Sequence, residues 1–339
     1  MKSKFRILIT LCIVLACSIS VAVLGALLKR AYANTDAGVT SDDRLSVLIA
    51  GLDDAAENTD TLMILSATPS TGRLELLQIP RDTYVRVDGT EGKINRLYHQ
   101  YIEKFGLKNG AEKYLNTVSA LFSLPLDAYL LFDTKALSAF VDSLGGIEVN
   151  VPYAITYFDE HTQKEAVIQN GRQLLDGNAA VAFVRHRSSY TEGDLGRLDA
   201  QMRFVASAFK KLASLRFPMQ YVEIYQKNAA KVLTNLSEKD IIKFMMVYLE
   251  KREEPSVRVM RLPGEAMQDA HSVWYYVLNK AAVSDMLEKY FDVKEDSFDP
   301  EAGFVREGEE IFDNIYHAPP LAYRVYGLAE AEGADVLRK

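Results

Sequence analysis

Residues 7–28, "ILITLCIVLACSISVAVLGALL", form a run of 22 residues without a charge. As a helix rising ~1.5 Å per residue it spans about 33 Å, enough for a bilayer core of roughly 30 Å. The run therefore frames everything else: a cytoplasmic tail (1–6), one membrane anchor (7–28), a small polar linker (29–43) and about 300 residues on one side of a membrane. Lys2, Lys4 and Arg6 favour a cytoplasmic N-terminus, although Lys29 and Arg30 weaken the contrast. A cleaved signal peptide is the rival reading, because "AYA" at 31–33 resembles a cleavage site. The run is long for a signal core, which favours the anchor. Both cysteines, Cys12 and Cys17, lie inside it. "VLAC" loosely resembles a lipidation box, but the apolar run continues past it.

The rest of the chain thus has no disulfide and no thiol nucleophile. The five histidines are scattered without zinc-site spacing, and no Walker loop, GxGxxG or GxSxG is present. Of the net charge of −7, the segment 293–339 carries −6, from eleven acids and five bases. The remainder is nearly neutral, so there is no broad basic face for nucleic acid. A local anion pocket is still open to it.

Alternating patterns predict an α/β chain. "LSVLIAG" (45–51), "TLMILSAT" (61–68) and "LELLQIP" (74–80) read as strands, with "PSTG" turning the last two into a hairpin. Helical periodicity covers 110–124 and 134–146, strands 128–133 and 147–152. "LLDGNAAVAFV" reads as a helix, as do 196–215, 237–251 and 275–291. Strands alternating with helices imply an αβα sandwich with a mixed central sheet. The domain is expected over 44–292. The acidic extension 293–339 is expected to be partly ordered, since it keeps Phe304, Ile311, Tyr316 and Tyr323.

Two constellations could carry chemistry. In "RHRSSYTEGDLGRLDAQ" (185–201), Arg185 and Arg187 are two apart, so in an extended segment both point the same way. Asp194, Arg197 and Gln201 stand near the start of the helix, where free N–H groups and the dipole favour an anion. Three guanidiniums could clamp a diphosphate. Equally, the arginines could form an ion-pair network with Glu192, Asp194 and Asp199. In the second constellation, Asp53, Asp54 and Asp60 stand at the ends of neighbouring strands. They suit a hard cation that keeps waters and binds phosphate, or they are turn formers and a cap. Arg81, after Pro80, is either part of the site or a surface arginine paired with Asp82. Lys93, Asn95 and Arg96 lie nearby in sequence, and a solvated lysine is the commoner role for Lys93.

"DTLMIL", "QIPRDTYV", "KIN", "DSLGGIEVNVP", "GRQLLDGNAAVAFVRHR" and "GDLGRLDAQ" occur in this order, followed by "LTNLS" and "LPG". Over residues 45–291 the chain resembles the LytR–CpsA–Psr family, and it shares that family's short cytoplasmic tail and single anchor. The resemblance implies an extracytoplasmic, metal-dependent phosphotransferase at the cell membrane of a Gram-positive-type bacterium. Its partners would be a polyprenyl-pyrophosphate-linked glycan and peptidoglycan. It would move a teichoic acid, capsule or other wall glycan onto a muramic acid hydroxyl through a phosphodiester. The alternatives are a pyrophosphatase using water, or a non-catalytic polyprenyl-phosphate binding protein. The resemblance further implies that Arg81, Arg185, Arg187 and Arg197 hold the pyrophosphate, with Gln201 completing the polar site and Lys113 as a weaker match. Asp53 and Asp60 would hold Mg²⁺ or Mn²⁺. Arg81, Arg197 and Asp194 would carry the reaction, Asp194 as proton acceptor. Where the family usually has arginine two places before the metal aspartate, this chain has Asn58.

Overall fold

The structure, a computed structural model, describes residues 44–53, 57–68, 71–190, 194–215, 220, 223–224, 227–236, 256–294 and 301–333. The anchor and linker expected over 7–43, and the helix expected over 237–251, lie outside the described residues.

Strands β1 (Leu45–Leu52), β2 (Thr59–Thr68) and β3 (Arg73–Gln78) open the fold. β1 is a near-continuous apolar run because both of its faces are covered. β2 and β3 form the expected hairpin, with Thr68 opposite Arg73. The hairpin β4 (Tyr84–Val87) and β5 (Thr90–Lys93) leads into helices α1 (Ile94–Phe105) and α2 (Leu107–Leu121). Next come β6 (Ala128–Phe132), α3 (Thr134–Ser143) and the strands β7 (Ile147–Val151), β8 (Ile155–Asp159), β9 (Lys164–Ile168) and β10 (Gly171–Leu175). α4 (Gly177–Arg185) and α5 (Asp194–Ala213) follow. The remainder contributes β11 (Val232–Thr234), β12 (Ser256–Arg261), β13 (Gly264–Gln268), β14 (Trp274–Leu278) and α6 (Lys280–Phe291). Last are α7 (Glu301–Phe304), α8 (Glu310–Tyr316), β15 (Val325–Gly327) and α9 (Leu328–Glu332).

Seven strands form one sheet in the order β11-β6-β1-β2-β3-β12-β15. The pairs β1–β6 and β3–β12 are parallel and the other pairs antiparallel, so the sheet is mixed. Alternation along β2 and β3 sends Leu62, Ile64 and Leu77 to one face, against Tyr98, Tyr114 and Val118 of α1 and α2. Met63, Leu74 and Leu76 go to the other face, against Met202 and Ala206 of α5. Helices cover both faces, as an α/β chain requires. A smaller core joins α3, α4 and α5 to β7 and β8 through Val141, Val149, Phe183 and Phe204.

Two expected helices start too early. Leu174 and Leu175 belong to β10, and α4 begins only after Asp176, whose carboxylate accepts the Ala179 N–H at 2.9 Å. Tyr275–Leu278 belong to β14, and Asn279 caps α6 by accepting the Ala282 N–H at 2.9 Å. In both, a short side-chain acceptor satisfies a free helical N–H and fixes the boundary. Residues 301–333, expected as an extension, pack into the domain. Phe304, Phe312 and Tyr316 are buried in the same core as Leu48 and Ile64, and β15 pairs with β12. Arg306 stacks over Tyr275 and Phe312 and bonds Asp269 at 2.7 Å and Glu91 at 3.2 Å. It thereby fastens two hairpins to the C-terminal segment.

Candidate active site

The site forms where β1 and β2 part. Gly51 pairs with Thr61 but Leu52 pairs with Thr59, so Asp60 is an extra, bulged residue. A bulge of this kind re-aims a side chain at the end of a ladder. The strands then join through Asp53 N–H donating to Asn58 O at 2.9 Å. The Asp53 carboxylate accepts the Glu57 N–H at 2.8 Å and the Asn58 side-chain amide at 2.9 Å. Asn58, the departure from the family pattern, is thus the residue that orients Asp53.

Three arginines from three segments meet at Asp60. Arg81 sits in the turn after β3, which is pinned by the Thr83 N–H and hydroxyl, both donating to Pro80 O. Its Nη1 donates to Asp60 Oδ1 at 2.5 Å. Arg197, in the first turn of α5, reaches the same oxygen at 3.7 Å and is 1% exposed. Arg187, in the loop after α4, reaches it at 3.8 Å. All three lie within 4 Å of one oxygen, so any two are at most about 8 Å apart. Like charges at that distance repel by roughly 2 kcal/mol at an effective dielectric of ~20. An added anion relieves that repulsion, and the N-terminal end of α5 adds its dipole.

Close packing holds the loop carrying Arg187. A Cβ on Gly196 would fall 2.4 Å from Tyr190 Cβ, so only glycine lets Tyr190 sit on the first turn of α5. The Tyr190 hydroxyl is buried without a hydrogen-bond partner, and burial pushes its pKa up to about 12. One turn after Arg197, the Gln201 amide donates to Val184 O at 3.3 Å, and its own oxygen is buried without a partner. Gln78 of β3 donates to Leu198 O at 3.0 Å, tying α5 to the sheet.

Other expected members are placed elsewhere. Arg185 is the last residue of α4, so it does not share an extended segment with Arg187. It lines a separate cleft beside α3 and β8. Lys113 pairs with Asp88 at 3.2 Å and stacks over Tyr101. Arg81 prefers Asp60 to Asp82, which lies at 3.9 Å and pairs with Lys93 at 3.0 Å instead. Of the acids in the alternative ion-pair network, Asp199 pairs with Arg261 at 3.1 Å. Asp194 opens α5, and its side chain, like Glu192 and Asp54, lies outside the described residues. The role of Tyr190 escapes sequence reading. Its signal is Gly196, which interrupts an otherwise good helix start.

Among the described residues, no three or more His, Cys, Asp or Glu side chains gather as a metal site. Asp53 and Asp60 at the mouth of β1 and β2 supply two carboxylates. That donor set fits a hard cation such as Mg²⁺, which keeps waters and takes further oxygens from a phosphate.

A model of the LytR_cpsA_psr family matches residues 22–292. The Bacillus mycoides protein named polyisoprenyl-teichoic acid–peptidoglycan teichoic acid transferase TagU is 29% identical over 259 residues, covering 75% of this chain and 80% of that protein. The crystal structure of Bacillus subtilis TagU is similar at 26% identity and a TM-score of 0.53, covering 76% of this chain and 98% of that one. Bacillus subtilis TagV shares the fold, with a TM-score of 0.63 at 22% identity over 75% of this chain and 100% of that one.

Proposed function

The chain belongs to the LytR–CpsA–Psr family, and from that premise we propose that it transfers a glycopolymer from a polyprenyl-pyrophosphate carrier to peptidoglycan. The observation that carries this reading is the convergence of Arg81, Arg187 and Arg197 on one carboxylate oxygen. Relatives named as teichoic acid transferases support the choice of substrates.

Phosphoryl transfer needs positioning and neutralised charge more than covalent help from the protein. The three guanidiniums hold the diphosphate and stabilise the charge that grows on the leaving group. The acceptor hydroxyl oxygen bonds to the glycan-bearing phosphorus. The bond from that phosphorus to the bridging oxygen breaks, and polyprenyl phosphate leaves with the electron pair. The hydroxyl proton goes to a carboxylate, assigned here to Asp194 at the start of α5. Mg²⁺ or Mn²⁺, held by Asp53 and Asp60, supplies further neutralisation of the phosphate oxygens. Asn58 serves this site by fixing Asp53. The domain works outside the cell membrane, anchored by residues 7–28.

The test uses the full chain in detergent, a short-chain lipid-pyrophosphate glycan and soluble peptidoglycan oligomers. The expected result is a mass gain of one glycan phosphate on the oligomer, lost with chelator and with Arg81→Ala. Lipid phosphate release with an unmodified oligomer would indicate a pyrophosphatase. Tight lipid binding with no turnover would leave a binding protein.

A further inference from the structure

The three arginines at Asp60 are not equally enclosed. The side chains of Arg81 and Arg197 are 19% and 1% exposed, whereas that of Arg187 is 43% exposed. Arg187 also lies in a loop, after α4 has ended. Its approach to Asp60 therefore depends more than theirs on how the backbone beneath it is held.

That backbone is tied at several points. The Tyr190 N–H donates to Arg187 O at 3.1 Å, so residues 187–190 form a turn. His186, the residue before the turn, closes it with its ring: Nε2 accepts the Ser189 N–H at 3.2 Å and lies 2.7 Å from the Ser189 hydroxyl. An N–H aimed at Nε2 needs a lone pair there, so the ring is neutral with its proton on Nδ1. Burial lowers the pKa of His186, which favours the neutral ring. The backbone of His186 is fixed as well, because its N–H donates to Ala182 O at 3.1 Å at the end of α4. The ring stands edge-on to Tyr190 at 5.7 Å, and Tyr190 is the side chain seated against Gly196, one residue before Arg197. His186 is half-buried and Ser189 exposed, so the bonds between them add little to either core. What they fix is the course of the segment that carries Arg187.

We propose that His186 is a positioning residue for the anion site: by accepting the Ser189 N–H it locks the 187–190 turn and holds Arg187 at Asp60 beside Arg81 and Arg197. The proposal rests on the reading of these arginines as the diphosphate site, and it adds what orders the most exposed of them. His186 acts through Arg187 and takes no part in the reaction itself. A guanidinium already held in place spares the ligand the cost of ordering it.

The test titrates the full chain in detergent with inorganic pyrophosphate in the presence of chelator, following binding by calorimetry. His186→Ala is expected to weaken binding about three- to tenfold, the factor that the net worth of one hydrogen bond gives. His186→Gln should recover most of that loss, because a glutamine oxygen can take the place of Nε2 and accept the same N–H. In an Arg187→Ala background, His186→Ala should change nothing further, since the residue through which it acts is gone. The thermal midpoint of His186→Ala should stay close to that of the wild type, as for a surface substitution. Unchanged affinity in His186→Ala, glutamine no better than alanine, or an equal loss in the Arg187→Ala background overturns the positioning role; where Arg187→Ala itself weakens binding, the arginine site still stands. Loss of the fold in His186→Ala would make the residue structural and also overturn the proposal. Pyrophosphate binding that ignores Arg187→Ala sinks the arginine reading, and the positioning role with it.

Discussion

Replacing Asp60 with asparagine removes the carboxylate that Arg81, Arg187 and Arg197 share. With chelator present, the affinity for inorganic pyrophosphate should then rise about tenfold, because a competing anion worth at least ~1.4 kcal/mol is gone. With Mg²⁺ present the same variant should bind more weakly than wild type, because the proposed metal ligand has been lost. Calorimetry in the two buffers reads both signs, and unchanged affinity in chelator would contradict the role given to Asp60. Arg81→Ala should lower kcat by about 10²- to 10³-fold, as loss of one preorganised donor does elsewhere. Arg187→Lys should recover only part of the activity lost in Arg187→Ala, since an ammonium lacks the planar fork.

Gly196 sets the start of α5 against the loop before it. Gly196→Ala places a methyl group 2.4 Å from Tyr190 Cβ, so the loop must move and carry Arg187 with it. A stability loss of about 1–3 kcal/mol is expected from such overpacking, together with a larger fall in transfer than the unfolding curve explains. Denaturant unfolding and the transfer assay on the same sample separate the two effects. The first three strands and the hairpin between β2 and β3 were legible in the sequence, because apolar runs meet a clear turn signal there. The starts of α4 and α6 were not, because each follows an apolar strand that merges with the helix's own apolar stripe. Asp176 and Asn279 were the available boundary marks. The same kind of error misplaced Arg185: α4 continues through it, so an alternation argument for Arg185 and Arg187 had no strand to act on. The meeting of Arg81, Arg187 and Arg197 depends on a β-bulge, a turn and a helix start coming together, and spacing along the chain cannot supply that.

At the scale of the molecule, the C-terminal segment is part of the core despite its acidity. Phe312 is fully buried and packs edge-on to Tyr84 at 5.1 Å and Tyr275 at 5.7 Å. Phe312→Ala should cost about 3–5 kcal/mol, and a chain ending at 292 should fail to give a cooperative thermal transition. Survival of that truncated chain with an unchanged midpoint would show the segment to be an appendage. Of the residues that made partial order the expectation, Phe304 and Tyr316 are buried while Ile311 is exposed, and Phe312 joins the buried pair. The whole fold brings Arg81, Arg187 and Arg197, from three segments, together at Asp60. The most direct test of that account is turnover of the lipid-pyrophosphate glycan in ¹⁸O-enriched water with peptidoglycan oligomers present, followed by weighing the phosphorylated product. The account predicts glycan phosphate on the oligomer with no ¹⁸O incorporated, because a sugar hydroxyl attacks the phosphorus. Free glycan phosphate carrying one ¹⁸O would contradict it, since water would then be the acceptor.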